Sequence, residues 1–472
     1  MTGTTLGSAE HGLTVTRQTS HESHAAKTEE LPLAVPAIDP HAELTARLSG
    51  AQVLVTTMYY APETTGSAPY TTDLAEHLAG CGARVRVVTM HPHYPQWLRP
   101  EGVLNGPSVE QLAGVEVVRV RGYVPRNPTL LKRALYEAVY TARAWRQTRA
   151  FVPDVVIACT PSLFAGALGA MVAGHRAVPC VTVVQDLITS AAAQSGMGGA
   201  GRAKALLSAI ERWTFRHSAL VTVPSAAFAP VVAQLAPQAP VSVVPNWSRL
   251  ATQSPVTLAD AEASEKAGRA MRSRLGWEGR FVVAHTGNMG LKQGLEDLAR
   301  ALHHLSVVHP EMLVSFIGDG SRRTALERAT AGLSSAEVRD PVSSDDYPLL
   351  LRAADALLVH ERSTVRDMSL PSKLTSYFTA GRPVVAMVRR DSATAAELER
   401  SGAGVVVDRD DPSALANKLE LLRSTPDERD RLAAAGVTYA GDVLRPAAAL
   451  GRLARLISDL LPGGTDARKG NA

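Results

Sequence analysis

Short runs of β-branched residues alternate with longer amphipathic stretches along most of the chain, in two separate series. The first series reads Val53–Thr57, Val85–Thr89, Val115–Val120, Val155–Cys159, Val181–Val184, Leu220–Val223 and Val241–Val244, with helical stretches at Tyr70–Cys81 and Leu130–Ala150. Residues 249–278 turn to Ala, Ser, Glu and Arg and read as a linker with a surface helix. The second series runs Phe281–His285, Met312–Ile317, Ala356–Val359, Val384–Met387 and Val405–Val407, each followed by a helical segment. Such alternation predicts parallel sheets closed by right-handed crossovers. Two series predict an α/β protein of two doubly wound, Rossmann-like domains, residues 51–248 and 279–440, facing each other across a cleft. In such sheets ligands sit beyond the carboxyl ends of the strands.

The chain has 472 residues, 45% apolar and 20% charged, enough to bury two large cores and too apolar for chain-wide disorder. Twenty uncharged residues, Val155–Gly174, imitate a membrane span. Pro161 and Ser162 divide them into a buried strand and a small-residue helix, the pattern of a sheet covered on both faces. Residues 1–50, rich in Thr, Ser, His, Ala and Glu, read as a disordered tail without the apolar stretch of a signal peptide, which predicts cytoplasmic residence. The three cysteines, Cys81, Cys159 and Cys180, fit neither a disulfide framework nor a CxxC knuckle.

The loops of the second series carry the clearest chemistry. Phe281–His285 runs into Gly287-Asn288-Met289-Gly290 and then Lys292 and Gly294: a strand, a glycine-rich turn and a helix start beside a cation. Glycines admit a ligand to the backbone, and free amides with a lysine suit an anion. The spacing is neither G-x-G-x-x-G nor a Walker motif, which argues against NAD and ATP hydrolysis. A second strand ends in Gly318-Asp319-Gly320, and the two ends together suggest a groove for a nucleotide-like phosphorylated ligand. The third loop holds Asp367, an acceptor for polyol hydroxyls, and Leu370-Pro371-Ser372-Lys373 ahead of the helix Leu374–Ala380. Lys373 reads either as an anion ligand or as half of a surface ion pair.

In the first series, Val53–Thr57 opens into a long loop with Tyr60, Glu63 and Gly66, longer than a compact strand–helix turn requires. His91, His93 and Trp97 follow the next strand. The two histidines lack a third metal ligand nearby, and the aromatics favour stacking on sugar or lipid. Asp186 stands at the carboxyl end of Val181–Val184, toward the cleft. Between Arg119 and Arg149 lie Arg126, Lys132, Arg133, Arg143 and Arg146 among Tyr and Trp145, against the single acid Glu137. That helix reads as a seat on anionic lipid or as a solvated face, and no nucleic-acid motif accompanies it.

With these loops the chain resembles the GT-B glycosyltransferases of family 4, in the colanic-acid and exopolysaccharide branch. The resemblance spans Ala51 to about Leu460 and rests on Tyr59–Gly66, Pro92–Trp97, Pro153–Val155, Val184–Leu187, Val244–Trp247, Gly287–Glu296, Gly318–Gly320 and Leu370–Val385. It implies a retaining, metal-independent transferase without a cofactor, taking a nucleotide-diphosphate sugar to a saccharide or lipid-linked saccharide. By that likeness Gly287, Asn288 and Lys292 meet the donor pyrophosphate and Gly318–Gly320 the nucleoside. Leu370–Lys373 hold the sugar and β-phosphate, and Tyr60, Glu63, Gly66, His93 and Trp97 line the acceptor side. The last helix, within 441–472, would cross back onto the first domain. Peripheral placement on the inner face of the plasma membrane goes with such an acceptor, through Arg126, Lys132, Arg133, Arg143, Trp145 and Arg146.

One departure stands out. The broader family's E-x7-E pair falls on Met368 and Ser376, with Asp367 the nearby acid, which leaves the grip on ribose open. Asp186, Lys292 and Asp367 are expected to carry the chemistry. A nucleotide-sugar epimerase or hydrolase, and a non-catalytic nucleotide-sugar-binding scaffold at the membrane, are the alternatives.

Overall fold

The computed structural model describes residues 40–64, 66–94, 97–98, 106–125, 130–187, 201–250, 258–365, 370–408 and 411–462. Within them the chain builds helices α1 (Pro40–Leu48), α2 (Ala68–Gly80), α3 (Leu130–Thr148), α4 (Leu163–Arg176), α5 (Gly201–Arg216) and α6 (Ala229–Leu235) around a first sheet. Its strands are β1 (Gln52–Thr56), β2 (Arg84–Met90), β3 (Ser108–Leu112), β4 (Val115–Val120), β5 (Val155–Cys159), β6 (Cys180–Val183), β7 (Leu220–Val223) and β8 (Val241–Val243). They lie in the order β3-β4-β2-β1-β5-β6-β7-β8, parallel except for β3.

After α7 (Leu258–Leu275) comes a second sheet of β9 (Phe281–Asn288), β10 (Met312–Asp319), β11 (Ala336–Arg339), β12 (Ala356–His360), β13 (Val384–Met387) and β14 (Gly404–Val407). Its order is β11-β10-β9-β12-β13-β14, all parallel. Around it pack α8 (Ala299–Val308), α9 (Arg323–Thr330), α10 (Tyr347–Ala353), α11 (Lys373–Thr379), α12 (Ala393–Ser401), α13 (Pro412–Ser424) and α14 (Pro426–Asp442), before α15 (Pro446–Ser458).

The span-like segment is β5 followed by α4, as its turn signal predicts. Ser162 caps α4 by accepting from the amide of Ala165 at 3.1 Å. The helix is rich in small residues because it lies directly on the sheet: a Cβ at Gly169 would come within 2.5 Å of the Ala158 side chain. Among the described residues no helix is long and apolar enough to cross a membrane.

Helix α1 and two strands were not in the sequence reading. Helix α1 falls inside the expected tail, and Leu44 and Leu48 are buried in the core of the first sheet. Strands β3 and β11 are edge strands of mixed polar and apolar residues, none of them fully buried and with no apolar run. Helix α7 lies within the stretch read as linker and surface helix and is anchored along one side: Met271 is buried, and Arg272 donates to the carbonyl of Ala353 at 2.7 Å and pairs with Asp355 at 3.0 Å.

The halves share contacts. Helix α15 buries Leu450, Leu453 and Ile457 in the core that holds β1 and α2. Tyr70 of α2 bonds Thr375 of α11, and Thr379 donates to Ser248 at 2.9 Å.

Candidate functional site

Each sheet has one point where successive strands depart in opposite directions. In the second sheet it is β9, with β10 on one side and β12 on the other. The crevice outside such a point is where a doubly wound sheet takes a ligand. The end of β9 with the loop Met289–Gly294 meets the end of β12 with Glu361 and Arg362 there. Gly287 adopts φ 94°, a left-handed value that favours glycine. Gly318 is equally constrained, since a Cβ there would stand 1.9 Å from the Gly287 carbonyl oxygen. The strand ends are therefore pressed together, with Asn288 and Asp319 exposed beside them and Gly320 behind.

Lys292 is exposed on this loop, and its carbonyl accepts from the amide of Arg362 at 3.0 Å. Glu296 ties the neighbouring loops together, accepting from Arg322 after β10 at 2.7 Å and from Arg362 after β12 at 2.8 Å. Burial works to raise the Glu296 pKa, yet backbone donation and the two guanidiniums hold it below the usual carboxylate range.

Lys373 begins α11 and turns inward. Its Nζ donates to Nε2 of His285, a fully buried residue of β9, at 3.0 Å. Nδ1–H of the same ring donates to the carbonyl of Leu358 on β12 at 3.1 Å. The surface ion pair weighed for Lys373 is thus replaced by a buried histidine. Burial pulls the Lys373 pKa down to about 7, opposed by the charge of Glu361.

Glu361, at the end of β12, was not singled out from sequence. It is buried, accepts from Thr394 at 2.8 Å, and burial pushes its carboxyl up to about 7 against the pull of Lys292 and Lys373. Its signal was available: an acid directly after the apolar run Ala356–Val359 and His360, at the carboxyl end of a strand.

Asp186, past β6 of the first sheet, is half-buried. Burial raises its pKa, and the opposing charge is Lys292 of the second sheet. The two halves therefore converge at this pair. Leu370 packs between apolar clusters of both halves, Pro371 is half-buried and Ser372 exposed. Ser376 bonds the hydroxyl of Tyr347, in a group with Thr286 and Tyr377. Asp367 and Arg126 lie outside the described residues.

The acceptor-side residues divide. Tyr60, in the loop past β1, is buried in the core of the first sheet and does not line a surface. Glu63 is a brace: one carboxylate oxygen accepts from the amides of His93 and Tyr94, each at 2.8 Å. His93 is likewise internal, its Nδ1 bonded to the carbonyl of His91 at 2.8 Å and its Nε2 to the Tyr136 hydroxyl at 2.6 Å. Gly66 sits against Tyr94, where a Cβ would be 3.5 Å from the ring. Trp97 is half-buried, its ring 5.4 Å from Tyr136 and 6.2 Å from Tyr94, with the Arg133 guanidinium 5.5 Å above it. Tyr59 completes the group, stacked 5.8 Å from His93. The half-buried wall is Tyr59, Tyr94 and Trp97; its first two members were not among the expected residues.

On α3 the basic face is solvent-exposed at Lys132, Arg133, Arg143 and Arg146, while Trp145 is half-buried beside His175. Leu131 and Leu135 stand out of the same helix at 80% and 51% exposure. Glu137 faces inward instead, accepting from Ser162 at 2.9 Å and Phe164 at 3.1 Å at the start of α4. Among the described residues, the group with metal-ligand spacing is His309, Glu311 and Glu420, at the amino end of β10, where Arg423 already neutralises Glu420 at 2.8 Å.

Two doubly wound sheets whose strand ends converge, the second with a glycine-rich, lysine-bearing switch point, make the GT-B arrangement, and the matching family models make the chain a glycosyltransferase of that type. The chain belongs to family 4 of that class: residues 65–247 match the Glycosyl transferase 4-like domain and residues 280–424 the Glycosyl transferases group 1 domain. It is 29% identical over 340 residues to a protein of Escherichia coli (strain K12) assigned to colanic acid biosynthesis as the glycosyl transferase WcaI, covering 70% of this chain and 81% of that one. Sucrose-phosphate synthase from Thermosynechococcus elongatus shares the fold at a TM-score of 0.67 and 15% identity, over 86% of this chain and 98% of that one. So does HepE of Anabaena in complex with UDP-glucose, at 0.62 and 17%, over 87% and 100%.

Proposed function

We propose that this glycosyltransferase moves a sugar, with retention of anomeric configuration and without a metal, from a nucleoside diphosphate to a hydroxyl of a lipid-linked saccharide in polysaccharide or glycoconjugate assembly. The observation that carries the reading is the convergence of Lys292 and Lys373 on the switch point of the second sheet, with Asp186 of the first sheet in the field of Lys292. Negative charge grows on a departing diphosphate as the glycosidic bond breaks, and cations fixed beforehand stabilise it most in the transition state. The two ammonium groups and the Gly287–Gly290 backbone supply that stabilisation, and Gly318–Gly320 lie where a nucleoside would extend. The acceptor hydroxyl attacks from the face the diphosphate leaves and passes its proton to the departing phosphate, so no enzymic nucleophile is required. Asp186 would position that hydroxyl.

The UDP-glucose bound by HepE and the assignment of WcaI to colanic acid support a nucleotide-sugar donor and an exopolysaccharide-like product. Exposed Leu131 and Leu135 among Lys132, Arg133, Arg143 and Arg146 support a seat on the anionic inner face of the plasma membrane. The test is incubation of the protein with a panel of UDP- and GDP-sugars and membrane-extracted lipid acceptors, with and without EDTA. Release of nucleoside diphosphate that requires acceptor, unaffected by EDTA, with the anomeric configuration of the donor kept in the NMR spectrum of the product, is expected. Release without transfer would favour a hydrolase, and epimerised donor an epimerase.

A further inference from the structure

We propose that His285 is a positioning residue for the donor diphosphate, holding the Lys373 ammonium at the β9/β12 switch point through its Nε2 lone pair. The inference rests on the donor reading above and extends it to a residue that touches no ligand.

The geometry runs in one direction. His285 follows four buried apolar residues of β9, Phe281–Ala284, and is itself fully buried. An imidazole so placed needs partners for both nitrogens. Nδ1–H is committed to the Leu358 carbonyl on the adjacent strand at 3.1 Å, which fixes the tautomer and leaves Nε2 as an acceptor. That acceptor faces Lys373 Nζ at 3.0 Å. A lysine has a flexible stem and no preferred direction of its own. Here the sheet supplies the direction: β12 holds the ring, the ring holds one N–H of the ammonium, and an ammonium has two further N–H bonds with which to meet an anion.

The surrounding charges suit such a task. The groups facing the pair are Glu361 at the end of β12, Lys292 after β9 and His360 at the end of β12, with the Phe316 ring 6.2 Å from His285 on the β10 side. Burial and the Lys373 charge hold the His285 pKa well below the usual histidine range, against the backbone hydrogen bonds to Leu358 and Asn288, so the ring is neutral and Nε2 can accept from Lys373.

Two substitutions separate this role from a purely structural one. In H285N the short side chain can keep the bond to the Leu358 carbonyl but falls short of Lys373. In H285Q the longer amide offers an oxygen to Lys373 in place of Nε2. The affinities of UDP and GDP are measured by calorimetry from pH 6 to 9 on the full chain, for wild type, H285N, H285Q, K373M and H285N/K373M, with melting temperatures alongside. H285N should weaken the better-bound diphosphate about tenfold, the loss of one charge-assisted hydrogen bond. H285Q should recover most of it, and H285N should add nothing in the K373M background. Wild-type affinity should fall above pH 7 as Lys373 loses its proton, and K373M should lack that fall.

If wild type binds a diphosphate but H285N binds it equally well, or H285N and K373M add independently, or H285N outperforms H285Q, the positioning role is overturned while the donor reading stands. If wild type binds neither diphosphate, the donor reading fails and takes this inference with it.

Discussion

The amide of Ser248 donates to the carbonyl of Leu444 at 2.8 Å. Ser248 lies where the chain has left the first sheet, and Leu444 where it returns toward it with α15, so the two passages between the halves are stitched to one another. Thr379 of α11 donates to the Ser248 hydroxyl at 2.9 Å and brings the second sheet's layer to the same point. Replacing Ser248 by Pro removes the amide donor and leaves the Leu444 carbonyl without it, at a cost of about 1–3 kcal/mol. Urea denaturation of S248P against S248A, which keeps the amide, measures the difference.

Helix α15 completes the first core from the far end of the chain. Ile457 is fully buried there, and Ile457→Ala should cost about 2–5 kcal/mol. Chemical denaturation should show the loss, and Leu456→Ala on the partly buried flank of the helix should lose less.

Lys292 is exposed and supports no core contact, so Lys292→Ala should leave the melting temperature within a degree or so of wild type, as most surface changes do. Turnover should drop by about 10²-fold or more if its ammonium stabilises the leaving diphosphate. A transfer assay beside a thermal melt separates the two, and unchanged turnover would remove Lys292 from the mechanism.

Glu296 holds Arg322 and Arg362 with a carboxylate whose pKa is below the usual value. A depressed acid contributes stability that is present above its unfolded pKa and lost as the pH falls through the folded one. Glu296→Ala should therefore destabilise by about 2 kcal/mol near pH 7 and by less near pH 3, read from denaturation at the two pH values.

Glu361 has the opposite sign. Burial raises its pKa from 4.5 to about 7, so between those values the folded state keeps a proton that the unfolded state has released. Stability then declines as the pH rises through that window. Glu361→Gln, which still accepts from Thr394, should flatten the decline between pH 5 and 7 in denaturation experiments.

If α3 meets lipid through Leu131 and Leu135, replacing both by Glu should abolish flotation with anionic liposomes at low salt and leave the melting temperature unchanged, since both side chains already face solvent. Equal flotation of the double variant would move the contact elsewhere.

Much of this molecule was legible in its residues. Every apolar run read as a strand is a strand, because a parallel sheet covered on both faces must be written in continuous Val, Ile and Leu. The glycine-rich end of β9 and the Gly318–Gly320 end of β10 were legible because backbone crowding admits little but glycine there. The edge strands β3 and β11 escaped, since a strand half exposed to water needs no apolar run. Helix α1 escaped because nine residues show too little periodicity to stand out in a polar tail.

What the sequence determined by itself was the order of elements, the division into two series and the places where an anion could be met. Tertiary structure alone decided which side chains face one another there. Residues 285 and 373 are far apart along the chain, and nothing in their spacing pairs them; the pairing follows from β9 lying beside β12 and α11 starting over that seam. The same holds for Tyr59 and Tyr60. In the loop past β1 one ring goes to the aromatic wall and the other into the core, and only the folded path of that loop says which.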